Sequence, residues 1–474
     1  MTVKLVELLA VTPGEVIAIL LVCGTATTLN TVPYATRLAV FWIEPKGPLI
    51  HRSGLLEFTR LPDQPANPLA SPSSIGGKKM FRRSGFAAIS VAALLVALCA
   101  GSAYATSYYV VANNDTSSNT VSVFTVSGTS LVPVTTVATG GQGLGGGYFA
   151  EVRQSIAQDG TNTCVFAGDA VSSDIAAMKV ISASPYLQVV SNYISPDGDS
   201  GATSGLGVTV SGGYVYANYT GSATIGVWKI GTGCTLTFVT HLSASGLSGG
   251  LVDGVAVTPN GKYLVAAYGD GSVGSYSIGG GDITLIGQET ITGNTVGGGA
   301  YAGAVAISSN GLWAVFGDFS GTNMTQLDVA KIGSNGALAA TTTYGGTGSL
   351  GSGLDSNGIA LSPNNKFIYI ANSYSGQETT VSFDATTGVI TYPNACLTSL
   401  SGYNTNWLFV SQVAPVVNSG SGYGLYMSEG FLNGESYIAL LKVNSTTGCA
   451  TEVTGSPFAD TNGGNLESIS SYTH

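Results

Sequence analysis

The sequence predicts an all-β ring built from one repeated four-stranded sheet, and three observations carry that prediction. First, the 474 residues include 67 Gly and only 9% charged residues. That composition excludes a coiled coil, a long helical bundle and a charge-rich disordered chain, and it suits many tight turns between strands. Second, residues 106–474 alternate short apolar runs with polar turns almost without interruption. Third, a unit of about 50 residues recurs along that stretch, which is the signature of a repeat architecture.

Three hairpins align directly: VAVTPNGKYLVAAY from Val255, VAISSNGLWAVFGD from Val305 and IALSPNNKFIYIAN from Ile359. Each pairs two apolar strands across a polar turn. A third alternating strand follows each one, at Ser272 to Ile278, Thr325 to Ile332 and Thr379 to Asp384. A Gly-containing turn then opens a fourth, as in GGGDITLIG, GSNGALAATT and ATTGVITY. Inner strands are expected near Val152, Gly207, Val255, Val305, Ile359 and Val410, at spacings of 55, 48, 50, 54 and 51 residues. A seventh unit is split: TSYYVVANND, NTVSVFTV and SLVPVTTV supply three strands, and Leu466 to Tyr472 reads as the missing inner one. Pairing the two ends closes the circle and removes exposed sheet edges. The fold class is therefore all-β, a seven-bladed β-propeller over residues 106–474.

Upstream of the repeats, the text from Met80 reads as a basic pair (Arg82, Arg83), an apolar stretch from Phe86 to Ala100, and Ala103-Tyr104-Ala105. These are the three parts of a secretory signal peptide, so residues 80–105 are read as a leader with cleavage near Ala105. The apolar stretch is short for a membrane span and lacks a basic stop-transfer anchor. Residues 1–79 hold one short apolar run, Val16 to Cys23, followed by Pro-punctuated text. They are read as an upstream extension outside the native chain, with translation starting at Met80, or as a disordered segment. The expected localisation is secreted, extracellular or periplasmic.

Beyond Ala105 the chain carries seven basic and 21 acidic residues, a net charge of 7 − 21 = −14. Such a surface repels phosphate backbones, so nucleic acid is excluded as a partner. Low charge also suits an acidic exterior, because few carboxylates need protonating there. Four cysteines remain after the leader: Cys164, Cys234, Cys396 and Cys449. Four Cys allow three connectivities. The blade register favours Cys164 with Cys234, leaving Cys396 with Cys449, while buried free thiols are the alternative. No Cys/His cluster with zinc-ligand spacing exists in the sequence.

The repeats resemble the lactonase-like propellers that share YVTN-type repeats. The resemblance rests on SPNNKFIYIAN at 362–372, TPNGKYLVAAY at 258–268, the third strands Val121 to Phe124 and Ile225 to Trp228, and turns such as Thr387 to Thr391. It implies the propeller fold over the whole repeat region and, in the enzymatic branch of that family, opening of sugar lactones. That branch carries a Pro-Arg-His-like cluster before an inner strand, where this chain reads LVDGVAV, YAGAVAI and LDSNGIA.

Propeller ligands bind around the central channel, on the face formed by loops entering the inner strands and by second-to-third strand corners. Every corner offers an Asn or an acid: Asn113, Asn114 and Asp115, then Asp169, Asn218, Asp270, Asp318, Asn372 and Glu429. These side chains either cap their turns or form a ring for a cation or a polar ligand such as a glycan. The entry loops supply Glu151, Arg153, Asp253, Tyr301, Asp355, Asn357, Asn404, Asn406 and Glu467. Glu151, Arg153, Asp253 and Asp355 are the catalytic candidates. An acid would activate water while Arg153, the sole Arg beyond the leader, polarises a lactone carbonyl. Alternatively, Glu151 and Arg153 form a structural ion pair.

His241 falls on an outer fourth strand, a surface position, and without a second central His neither a Ser-His-Asp relay nor a His-based metal centre is expected. No cofactor is expected. Asp197 and Asp199 in SPDGDSG supply half of a calcium loop without its closing Glu, so calcium is the one cation the pattern leaves open. Glycosylation sequons occur at Asn114, Asn218, Asn323 and Asn444. With 21 of 23 Tyr beyond the leader, the low-charge polar surface suits sugar binding or packing against further copies of itself. The sequence therefore points to an exported non-catalytic binding or structural module, self-associating into oligomers or fibres, with a lactonase-like hydrolase as the alternative.

Overall fold

The computed structural model describes residues 3–12, 15–24, 38–43, 53–56, 108–144, 154–201, 205–291, 301–320, 324–345, 356–372, 375–401, 409–417, 423–430, 436–460 and 468–473. The chain divides into two units, Met1–Gly101 and Ser102–His474. In the first, β1 (Val3–Thr12), β2 (Glu15–Gly24), β3 (Leu38–Ile43) and β4 (Ser53–Leu56) pair in that order as an antiparallel sheet. The segment read as a leader, 80–105, lies outside the described residues. Among the described residues no helix is long and apolar enough to cross a membrane.

The second unit is a seven-bladed β-propeller. Blade 1 combines β5 (Tyr108–Asn113), β6 (Thr120–Ser127) and β7 (Ser130–Ala138) with the C-terminal β33 (Ser468–Thr473). Blade 2 holds β8 (Ile156–Gln158), β9 (Cys164–Asp169), β10 (Asp174–Val180) and β11 (Leu187–Ile194). Blade 3 holds β12 (Leu206–Ser211), β13 (Tyr214–Tyr219), β14 (Thr224–Ile230) and β15 (Leu236–Ser243). Blade 4 holds β16 (Val252–Val257), β17 (Tyr263–Tyr268), β18 (Ser272–Gly279) and β19 (Asp282–Thr290). Blade 5 holds β20 (Tyr301–Ile307), β21 (Trp313–Ser320), β22 (Met324–Lys331) and β23 (Thr342–Gly345). Blade 6 holds β24 (Ser356–Leu361), β25 (Phe367–Asn372), β26 (Gln377–Asp384) and β27 (Val389–Ser399). Blade 7 holds β28 (Phe409–Val417), β29 (Tyr423–Gly430), β30 (Ser436–Val443) and two short outer pieces, β31 (Ala450–Glu452) and β32 (Phe458–Asp460).

Ring closure follows the expected route. β33 pairs with β5, with Ser468 opposite Asn113 and Tyr472 opposite Tyr109. Inner strands neighbour one another in the cycle β8, β12, β16, β20, β24, β28, β33 and back to β8. Seven hydrophobic clusters fill the seven blade interfaces, one per interface. Because successive strand residues point to opposite faces, Tyr109 and Val111 pack toward blade 2 while Val110 and Ala112 pack toward blade 7. Burial on both faces explains why second strands such as YLVAAY read as continuous apolar runs.

Two expected elements lie elsewhere. The inner strand of blade 2 starts at Ile156 rather than near Val152, and only three residues pair. In blade 5 the GSNGALAATT stretch makes a single bridge, Ile332 to Leu338, and the outer strand forms later at Thr342–Gly345. Both disulfides form as the register favoured. Cys164 bonds Cys234 across blades 2 and 3, and Cys396 bonds Cys449 across blades 6 and 7, with Cα separations of 5.6 and 5.3 Å.

Register breaks recur at two radii. In the outer strands of blades 1 to 4 one extra residue bulges out at the same place: Val134, Val190, Val239 and Ile286. Blade 6 carries a wider break between Thr380 and Ser382. Bulges on edge strands twist the edge away and oppose the addition of another strand. Four consecutive inner strands, β16, β20, β24 and β28, also carry one extra residue each near their start. β12 and β33 pair without a break, as do the three residues of β8.

Candidate functional site

An inner strand begins opposite the end of its neighbouring second strand, as Val252 lies opposite Tyr268, so entry loops and second-to-third corners share one face of the disc. The described corner residues spend their side chains on that scaffold. Asn113 Nδ2 donates to Ser155 Oγ at 2.9 Å and to the Gly168 carbonyl at 3.0 Å, tying blade 1 to blade 2. Asn218 Nδ2 and Thr220 Oγ1 both donate to the Val252 carbonyl of blade 4, at 3.4 and 2.9 Å. Asn372 Nδ2 donates within its own corner, to the Gln377 carbonyl and Thr379 Oγ1. Asn114 is buried and donates to Thr120 and Ser122.

Asp270 shows why an acid recurs here. Its carboxylate accepts the N–H groups of Ser248 at 2.6 Å, Gly250 at 3.1 Å and Ser272 at 3.0 Å, plus the Ser272 hydroxyl at 2.6 Å. Burial opposes ionisation, but these hydrogen bonds outweigh it and hold the carboxyl below its ordinary range. The loop that crosses Asp270 must be Gly at 246, because a Cβ there would sit 2.3 Å from the carboxylate. A serine serves the same purpose in three blades. Ser172, Ser222 and Ser272 accept the backbone N–H of Gln142, Ser200 and Leu247 from the loop crossing over each corner. Their 50-residue spacing is a sequence signal that the corner reading missed.

Asp169 behaves differently. It is fully buried, accepts from Asn119 Nδ2 at 2.5 Å and Thr139 Oγ1 at 3.0 Å on one oxygen, and has no partner on the other. Burial, with the charges of Asp174 and Asp115 nearby, raises its carboxyl to about 7 against those two hydrogen bonds. Glu378 on β26 is also fully buried, with Thr380 donating to one oxygen at 2.6 Å and the second unpartnered, and burial raises it to about 8. Asp169 was named from sequence as a corner residue, but Glu378, on the third strand of blade 6, was not, since an acid in an alternating strand normally faces solvent.

The inner bulges fall at the start of the inner strands, where the entry loops arrive. The extra residue of β16 is Asp253, which is buried, and that of β24 is Asn357. Both stood among the entry-loop candidates, and an inserted residue re-aims side chains out of the pleat. β20 breaks register between Ala302 and Val305, one residue after Tyr301, and β28 between Val410 and Val413. The bulged strands thus form one continuous arc over blades 4 to 7. Tyr301, Asp318, Asn357 and Glu429 lie on the backbones of β20, β21, β24 and β29, with side chains outside the description. Glu151, Arg153, Asp355, Asn404, Asn406 and Glu467 lie outside the described residues. No three His, Cys, Asp or Glu side chains among the described residues form a preformed metal cage.

At the rim, His241 meets the acid pair Asp197 and Asp199, which the sequence reading treated apart from it. His241 Nδ1 lies 2.8 Å from Asp199 Oδ1, and its Nε2 lies 3.8 Å from Asp197 Oδ2. Ser195 donates its hydroxyl to the other Asp199 oxygen at 2.6 Å, so the serine is bonded to the acid and not to the imidazole. That order provides no nucleophile–base pair.

No protein-family model matches the chain, and a search of curated proteins finds no match. Solved structures do resemble it. A 6-phosphogluconolactonase-like protein of Bacteroides fragilis matches at TM-score 0.58 with 15% identity, over 78% of this chain and 99% of that one. One from Bacteroides uniformis matches at 0.56 with 14% identity, over 77% and 99%. A protein of unknown function from Desulfotomaculum acetoxidans matches at 0.54 with 12% identity, over 77% and 98%. At these identities the likeness shows the fold.

Proposed function

We propose that the chain is an exported, non-catalytic propeller that acts as a binding or structural module, taking a glycan or another small polar ligand at the channel mouth of blades 4 to 7. The observation that carries this reading is the division of labour among polar side chains. Described corner residues are consumed in capping turns and joining blades, while the inner-strand bulges fall at Asp253 and Asn357, two of the entry-loop candidates. Two disulfides suit release into an oxidising exterior after cleavage near Ala105. Assembly into oligomers or fibres would proceed through the faces of the disc, since the outer bulges oppose strand addition.

A lactonase-like hydrolase is the second reading, favoured by the two similar Bacteroides structures described as 6-phosphogluconolactonase-like. In it, Glu151, Asp253 or Asp355 takes a proton from water. The resulting hydroxide adds to the lactone carbonyl, Arg153 stabilises the oxyanion, and the ring alkoxide leaves. One Arg and six Lys beyond residue 105 suit an unphosphorylated lactone better than a phosphorylated one.

A lactone panel assayed with the wild type and Arg153→Ala separates the two. Turnover that disappears in the variant defeats the binding module. Absence of turnover, with saturable sugar binding weakened roughly tenfold or more by Asp253→Asn, supports it.

A further inference from the structure

The rim cluster of blades 2 and 3 has the geometry of a metal site whose orienting group is already in place. Asp199 is 2% exposed at its side chain, and both of its oxygens are engaged, one by His241 Nδ1 and the other by the Ser195 hydroxyl. The 2.8 Å contact to Asp199 is made through Nδ1, and an N–H donated there leaves the Nε2 lone pair on the far side of the ring from that acid. Metal-binding histidines are oriented in this way, by a carboxylate on the nitrogen opposite the metal. On the Nε2 side stands Asp197, 3.8 Å away, too far for a hydrogen bond. Two ligands sharing one tetrahedral ion at 2.0–2.2 Å lie about 3.4 Å apart, so a few tenths of an ångström of side-chain movement suffices. Both groups can make it, being 37% and 47% exposed at the side chain.

The backbone supports the arrangement. Gly198 in the left-handed region (φ +77°) turns the chain between Asp197 and Asp199, so the two carboxylates address opposite sides of one ring. The Phe238 ring stands edge-on to the imidazole at 6.3 Å and packs at 5.1 Å on Trp228, which bounds the site on its inner side.

We infer that His241 Nε2 and Asp197 bind a single borderline divalent cation, zinc or its neighbours nickel and copper, with water completing the coordination and Asp199 as the positioning residue. Imidazole nitrogen selects such ions over calcium, whose ligands are oxygens. The ligands lie on different blades, 42 to 44 residues apart, beyond the reach of a spacing motif. The inference is independent of what binds at the channel.

The test uses the full chain stripped with EDTA, with its three histidines labelled with ¹⁵N. Titration with ZnCl₂ is expected to shift His241 Nε2 while Nδ1 keeps its proton, with one calorimetric equivalent lost in His241→Gln. Asp197→Asn, which alters an exposed side chain, should weaken that equivalent roughly tenfold, and Asp199→Asn by roughly 10–100-fold. Millimolar CaCl₂ should leave the Nε2 signal in its zinc-bound position. Zinc binding unchanged in both His241→Gln and Asp197→Asn, coordination through Nδ1, or displacement by calcium would each overturn the assignment.

Discussion

The inner wall of the ring has two unlike arcs. Over β33, β8 and β12 the strands meet their partners without interruption, whereas β16, β20, β24 and β28 each break register near their first residues. All seven blades solve the same packing problem, so packing does not explain the difference. Among the described residues the break recurs in four neighbouring inner strands and is absent from the paired residues of the other three, so the repeat varies on one side of the ring. The regular arc carries the ring closure, and the bulged arc carries the entry-loop candidates Asp253 and Asn357. The two disulfides divide in the same way, Cys164–Cys234 within the regular arc and Cys396–Cys449 within the bulged one.

If the arcs differ in task and not in stability, substitutions should separate accordingly. Tyr472 is 2% exposed and stacks on Tyr109 with ring centroids 5.0 Å apart. Tyr472→Ala is expected to lower unfolding free energy by about 3 to 5 kcal/mol in a denaturant titration, without selective loss of ligand affinity in the folded fraction. Reduction probes both arcs at once. The bridges span 70 and 53 residues, and because loop entropy grows only logarithmically, replacing either Cys pair with Ser should cost about 4 kcal/mol. A much smaller loss in one pair would show that its arc is already held together without a bridge.

A third test concerns Glu378 of blade 6. Its folded-state carboxyl is raised to about 8, above the ordinary value of 4.5, so between these values the folded chain holds a proton that the unfolded chain releases. Stability is therefore greatest below that window and falls as pH rises through it, and the rise of Asp169 to about 7 adds in the same direction. Asp270 acts oppositely, losing its contribution as pH falls below the carboxylate range. Wild-type melting temperature should decline from pH 5 to pH 8.5. Glu378→Gln should remove part of that slope, worth about 2 to 4 kcal/mol, and gain stability only at the alkaline end. An unchanged slope would mean that Glu378 is ionised in the folded chain. Asp253 is buried, so Asp253→Asn is expected to cost about 1 kcal/mol of stability, with the larger loss appearing in binding or turnover.

Much of the ring was legible because period-two patterning and Gly-containing turns are local properties. Three hairpins with the same turn chemistry sufficed to set the frame, and the split first blade followed from a second-strand sequence with no first strand before it. The bulges were not legible, since register belongs to a pair of strands. VDGVAV and SNGIAL carry an Asp-Gly and an Asn-Gly that hint at a kink, yet similar dipeptides elsewhere make ordinary turns. The entry-loop candidates Asp253 and Asn357 were named by position alone, with no sign in the sequence that they would sit at register breaks. The pairing of His241 with Asp199 was hidden because a loop of one blade reaches the outer strand of the next. Asp169 was named as a corner residue without its burial being foreseen, and Glu378 went unnoticed on an alternating strand, because nothing local announces burial.

The blade shared between the two ends of the propeller also constrains how the protein is made. β5 emerges from the ribosome or a translocation pore before the other six sheets, and its inner partner β33 arrives after all of them. Until then Val110 and Ala112 lack the Ile469 side of their interface. A stalled or truncated product has no native circle to fall back on. The pairing of β33 with β5 is therefore the last seam of the ring to form.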